Sequence, residues 1–232
     1  MFHLWICWLF CVFAQVDPLS SQPPFEKSLI WSSKTEALRD PFLAFIPGDP
    51  ADVSRDNITR GRISFNTILD PEANIHSVCS DYAAGAVYFA ELYTKTFFEI
   101  NIHSLSTRIV HRGVGDSLQM TVDWSSRNLY WVDGLFSWIA VKSLKKDDPF
   151  DYNVLVERDV DFPLGIAVDP RRGYLFWIEV GRVPLVKRAR LDGDSPRVLA
   201  VGGLYRPRGL TIDIQTGKIY WVDRTKRICG IL

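Results

Sequence analysis

Leu129-Tyr130-Trp131-Val132-Asp133 reads as an apolar residue, two aromatics, a second apolar residue and an acid. The order recurs in Val87-Tyr88-Phe89-Ala90-Glu91, Leu175-Phe176-Trp177-Ile178-Glu179 and Ile219-Tyr220-Trp221-Val222-Asp223. The first aromatics stand at 88, 130, 176 and 220, so the steps are 42, 46 and 44 residues. A second series lies seven residues upstream of each pair: Asp81, Asp123, Asp169 and Asp213. Turn residues fill the interval, as in Ser125-Ser126-Arg127-Asn128, Pro170-Arg171-Arg172-Gly173 and Gln215-Thr216-Gly217-Lys218. A third series follows, clearest in Val186-Lys187-Arg188-Ala189-Arg190-Leu191-Asp192-Gly193, and Phe42-Leu43-Ala44-Phe45-Ile46 reads as a weaker early copy.

A unit of about 43 residues holds four short strands and their turns. One such sheet cannot bury both faces alone, and stacking the units radially buries them against each other. The expected fold is therefore all-β, a β-propeller. Adjacent bulky aromatics fill the space between blades. The repeated aspartates suit tight turns, where a carboxylate accepts backbone N–H groups. A β-sandwich with coincidental aromatic pairs is the alternative, and two series in one register weigh against it.

These residues resemble the low-density lipoprotein receptor class B repeat, the YWTD propeller, from about Pro41 to the C-terminus. The third unit is the best copy, with Pro163-Leu164-Gly165-Ile166-Ala167-Val168-Asp169 ahead of its aromatic pair. The fourth has Pro207-Arg208-Gly209-Leu210-Thr211-Ile212-Asp213. The resemblance implies a six-bladed propeller, usually beside EGF-like modules, in endocytic receptors, Wnt co-receptors and basement-membrane linker proteins. It implies protein recognition without catalysis or cofactor. The motif threonine is replaced by Ala90, Val132, Ile178 and Val222, and two motif acids are Glu91 and Glu179. The family often places Asn at the mouth of the central channel. The matching positions, taken as candidate ligand contacts, are His76, Leu118, Leu164 and Arg208.

Six units need roughly 260 residues at this period, and 41–232 holds 192. That is about four and a half units, ending in a third strand. The expectation is a propeller truncated at its C-terminal end: a fragment, a short product or an incomplete gene model.

Residues 1–14 read as a secretory signal, with the apolar run Leu4 to Phe13 and small residues before a cut after Ala14. That run is too short to span a bilayer of about 30 Å, and no later run is long enough. Residues 15–40, polar and Pro/Ser-bearing, read as a linker or lead-in. Asn57-Ile58-Thr59 is a glycosylation sequon. Of four cysteines only Cys79 and Cys229 lie beyond the signal, on different strand types three units apart, and are expected not to pair with each other. The expected location is secreted or on the outer side of the plasma membrane.

Lys+Arg and Asp+Glu both number 27, so no overall field favours nucleic acid. Residues 181–232 nonetheless carry eleven Lys/Arg against four Asp. Arg182 to Arg190 could meet an anionic ligand, although strand alternation favours a solvated outer strand. His76, His103 and His111 could titrate near endosomal pH. Phe136 and Trp138 could be recognition aromatics or blade packing. No nucleophile elbow, phosphate loop or metal-spaced His pair occurs. The leading reading is an extracellular propeller that binds a protein ligand or a neighbouring EGF-like module. The alternatives are a calcium-centred six-bladed hydrolase, disfavoured by Leu118 and Leu164 at the axis, and a truncated product with no function of its own.

Overall fold

The computed structural model describes residues 28–35, 38–47, 66–67 and 75–231, apart from 82–83, 102–103, 105, 117 and 224–227. The signal region, Asn57 and His103 lie outside the described residues. Five antiparallel sheets are formed, divided between two compact units, Asp17–Ile75 and a second unit running from His76 to Leu232.

The first unit holds β1 (Ser28–Thr35), β2 (Leu38–Pro47) and β3 (Asn66–Thr67) in that order. Ser28–Thr35 lies inside the stretch read as lead-in, and Pro41 falls within β2. Leu29, Ile30 and Trp31 sit among serines, and the polar composition masked a strand that pairs with Ala44, Phe45 and Ile46. The weak early copy, Phe42–Ile46, does lie on a middle strand.

The second unit is a run of four propeller blades. Blade 1 comprises β4 (Ile75–Asp81), β5 (Ala86–Glu91), β6 (Thr96–Asn101) and β7 (Thr107–Arg112). Blade 2 comprises β8 (Leu118–Asp123), β9 (Asn128–Asp133), β10 (Trp138–Ser143) and β11 (Asn153–Val156). Blade 3 comprises β12 (Pro163–Asp169), β13 (Tyr174–Glu179), β14 (Leu185–Arg190) and β15 (Arg197–Val201). Blade 4 comprises β16 (Pro207–Asp213), β17 (Lys218–Asp223) and β18 (Ile228–Ile231). Strands follow one another in each sheet as a meander. First strands neighbour one another, with β12 packed between β8 and β16.

Period-2 alternation explains why the motif needs two aromatics in a row. Neighbouring strand residues point to opposite faces, and an inner blade is buried on both. Tyr130 joins Ile166, Val168 and Trp177 at the seam between blades 2 and 3. Its neighbour Trp131 points the other way, into the seam with blade 1 beside Tyr88, Phe97 and Met120. Phe176 repeats the forward role with Leu210, Ile212 and Ile219. Trp131 and Trp177 are fully buried. In blade 4, Tyr220 and Trp221 are only half-buried.

Candidate functional site

Two series of carboxylates hold opposite ends of each blade. The aspartates that close the first strands fix the turn leading into the second strand. Asp123 Oδ1 accepts the N–H groups of Ser125 (2.9 Å) and Ser126 (3.1 Å). Asp169 does the same for Arg171 and Arg172, and Asp213 for Gln215 and Thr216. Asp81 accepts Ala84 N–H at 3.1 Å.

The motif acids at the ends of the second strands work at the other end. There the chain both enters the blade and turns from its second strand to its third. Asp133 accepts Gly115 N–H at 2.8 Å, Glu179 accepts Asp161 N–H at 3.1 Å, and Asp223 accepts Tyr205 N–H at 2.7 Å. Each of these bonds joins residues 18 apart. Asp133 also takes Leu135 and Phe136 N–H, and Glu91 takes Tyr93 N–H (2.9 Å) and Thr94 N–H (2.6 Å). Burial raises the Asp133 carboxyl above its ordinary value, and the three backbone donors oppose that rise. Glu179 is held further by Trp177 Nε1 at 2.8 Å and Lys187 Nζ at 2.9 Å.

What these clamps carry is apolar. Eleven large apolar side chains are exposed among the described residues. Six stand on loops at the clamped end: Tyr93, Leu135, Phe136 and Val183 on second-to-third-strand turns, and Phe162 and Tyr205 on incoming loops. Tyr93 is 77% exposed and Tyr205 is 61% exposed. The Phe136 ring lies tilted against that of the half-buried Trp138, with centroids 4.9 Å apart and planes at 42°.

The expected mouth positions fall at the same end. Leu118 heads β8 opposite Asp133, and His76, Leu164 and Arg208 are second residues of their strands. Leu164 is buried, His76 half-buried and Arg208 exposed. These three therefore differ in exposure, and the register is not common to all, since Leu118 faces Asp133 whereas Arg208 faces Val222. Of the clamped loop residues, sequence reading singled out Phe136 but not Tyr93, Leu135 or Val183, whose signal is an apolar residue soon after each motif acid.

Other expectations resolve singly. Lys187 and Arg188 are used within blade 3: Lys187 pairs with Glu179, and Arg188 lies 4.2 Å over the Tyr174 ring. Arg182 and Arg190 are exposed. His111 is buried, with Nδ1 2.7 Å from Pro149 O and its ring against Phe97, Trp131 and Tyr152. Cys79 is buried and not in a disulfide. Cys229 lies on β18, a third strand. Among the described residues, no group of three or more His, Cys, Asp or Glu could hold a metal, and no helix is long and apolar enough to cross a membrane.

The repeated sheets and their motif acids define a β-propeller. The low-density lipoprotein receptor repeat class B itself matches residues 173–214. The chain is 36% identical over 124 residues to the human (Homo sapiens) low-density lipoprotein receptor-related protein 5-like protein, covering 53% of this chain and 48% of that one. It is 36% identical over 104 residues to the Drosophila melanogaster vitellogenin receptor Yl, covering 45% of this chain and 5% of the receptor. The chain thus spans about half of one relative and a small part of the other. Among solved structures, one chain of a nidogen/laminin complex superposes with a TM-score of 0.68 at 23% identity, covering 84% of this chain and 70% of that one.

Proposed function

We propose that this protein is an extracellular recognition propeller of the lipoprotein-receptor kind, which takes a protein ligand on the clamped end of its blades and catalyses nothing. The observation that carries this reading is the set of exposed apolar side chains on turns fixed by buried carboxylates. Apolar and aromatic anchors supply most of the energy of a protein interface. Holding them on rigid turns lowers the ordering cost of binding. The similarity to receptor proteins supports a protein partner, a neighbouring EGF-like module among the candidates. The secretory reading of residues 1–14 and the sequon at Asn57 support an ectodomain location. Endocytic and Wnt co-receptor roles are the two receptor settings the resemblance offers.

The test is display of the full chain on yeast, probed with a library of secreted human and insect ectodomains. Binders should be lost in Leu135→Glu/Phe136→Glu and in Val183→Glu, while thermal midpoints stay near the parent value. Binders that survive both variants and are lost instead on changing Lys218 and Arg190, at the opposite end, would overturn the assignment of the face.

A further inference from the structure

The clamped end carries charge as well as apolar groups, and the charge is unevenly met. At the entry to blade 2, the exposed Lys95 forms an ion pair with the exposed Asp116. At the same end of blades 3 and 4, Arg182, Arg206 and Arg208 are exposed. Among the described residues, Arg182 and Arg206 form no ion pair. The segment that enters blade 4, residues 202–208, contains no acidic residue.

These arginines stand on pinned backbone. Arg182 N–H donates to Asp161 Oδ2 at 2.7 Å, and Gly181 N–H donates to Asp161 O at 3.1 Å. Tyr205 and Arg206 both donate their N–H groups to Asp223 Oδ2, at 2.7 and 3.2 Å, and the buried Pro207 follows. Sheet register brings the two segments together. Leu185, just past the turn that holds Arg182, pairs with Val201, and Val201 runs directly into residues 202–208. Val183, Val201 and Tyr205 are exposed there. The acids of this end are placed otherwise. Glu179 and Asp223 are buried in the clamps, and Asp161 faces the Arg182 amide. Glu157 and Asp159 flank Arg158 nearer β11.

We infer that the corner formed by Arg182, Val183, Val201, Tyr205, Arg206 and Arg208 receives an acidic stretch of a protein partner, with Asp or Glu set among apolar residues. The corner's role rests on the recognition reading proposed above and adds the chemistry of the partner. A guanidinium presents a planar fork of donors that fits a carboxylate. Arginine and tyrosine are enriched among the residues that dominate protein interfaces, and pinned turns lower the ordering cost of binding. A basic segment would meet like charge, and a neutral one would leave the arginines without a counter-charge. A bare polyanion would use the arginines but not the valines and the tyrosine.

The experiment displays the full chain on yeast and probes it with three pools of short fluorescent peptides. All share randomised Leu, Val, Tyr and Phe positions, and the remaining positions are Asp/Glu, Ser/Gln or Lys/Arg. The acidic pool should bind about tenfold more tightly than the neutral pool, and the gap should narrow as salt rises. Arg182→Glu/Arg206→Glu should abolish that gap and turn the preference toward the basic pool. Arg182→Lys/Arg206→Lys should keep most of it, and Arg190→Glu/Lys218→Glu, at the opposite end, should leave it unchanged. Should the reversed variant not reach the yeast surface, Arg182→Gln/Arg206→Gln takes its place. Equal binding of the three pools overturns the inference, as does an acidic preference that survives the reversal or is lost in Arg190→Glu/Lys218→Glu. Heparin binding as tight as the acidic pool, and as dependent on Arg182 and Arg206, would make the corner a polyanion site and overturn it too. Ectodomain binders lost in Leu135→Glu/Phe136→Glu, alongside pools that show no acidic preference, would leave the ligand face standing and remove only the acidic partner.

Discussion

Arg127, in the first turn of blade 2, ion-pairs with Asp81 of blade 1 across 46 residues of sequence, and does so from a left-handed backbone with φ 60°. The equivalent turn positions in the other blades are Gly85, Gly173 and Gly217, at φ 59°, 72° and 74°. Blade 2 therefore accepts local strain to gain a link between blades. Arg127→Ala should cost about 3–5 kcal/mol, because it strands a buried carboxylate. Arg127→Gly should cost about 1 kcal/mol less, because glycine relieves the strain. Denaturant unfolding of the pair checks this; equal losses below about 1 kcal/mol would show that the link is not structural.

Gly115 is placed by contact as well as by hydrogen bonding. A Cβ there would stand 2.4 Å from Oδ1 of Asp133. Gly115→Ala should displace the carboxylate from its three donors and cost about 1–3 kcal/mol. At Gly113 a Cβ meets nothing within 4 Å and only the φ of 84° resists, so Gly113→Ala should cost about 1 kcal/mol. Calorimetric midpoints should fall in that order.

Two seams can be compared through the second motif aromatic of blades 2 and 4. Trp131 is fully buried and Trp221 half-buried. Trp131→Ala should cost about 3–5 kcal/mol, and Trp221→Ala clearly less. An equal loss would contradict the burial of the two seams.

His111 makes stability depend on pH. Burial lowers its pKa from the ordinary value, against the opposing bond to Pro149 O, and the nearby Lys142 lowers it further. The unfolded chain then binds a proton as pH falls through about 6.5 while the folded chain still does not. Stability should therefore drop between about pH 6.5 and the folded value, and level off below it. His111→Phe should flatten that slope. Midpoints measured from pH 7.5 to 5 decide, and an unchanged slope would remove His111 as the cause.

Burial pushes the Cys79 thiol far above its ordinary pKa, so almost no thiolate is present at pH 8. A disulfide reagent should label Cys79 only at the rate of unfolding. Rapid labelling of Cys79 in native buffer, located by peptide mapping, would contradict this.

The blade centres were legible because the packing that makes them is local and periodic. Tyr130 and Trp131 announce a strand buried on both faces, and Asp123 announces a turn. The partners of the motif acids were not legible, since Asp133, Glu179 and Asp223 reach back 18 residues to backbone groups that carry no side-chain signal. Ser28–Thr35 was hidden by its serines, because β pairing needs backbone more than composition. The basic run near Arg188 looked like a surface feature, yet Glu179 and Tyr174 were already opposite it in the sheet. The exposed apolar loops were harder still: whether Leu135 or Val183 is covered depends on contacts far away in sequence.

The fixed reach of the motif acids divides each repeat into a rigid part and an elastic part. From the clamped incoming residue to its acid the count is 18 every time. From acid to the next clamped residue it is 24, 28 and 26, between Glu91 and Gly115, Asp133 and Asp161, and Glu179 and Tyr205. All the variation in step length is thus taken up by the third and fourth strands and their loops, away from the first strands that neighbour one another. Insertions and tags should be tolerated around Lys145 and Lys146 at the periphery, whereas a single added residue between Gly115 and Asp133 would put the inner hairpin out of register. Such a protein can lengthen at its circumference while its hub keeps a constant gauge.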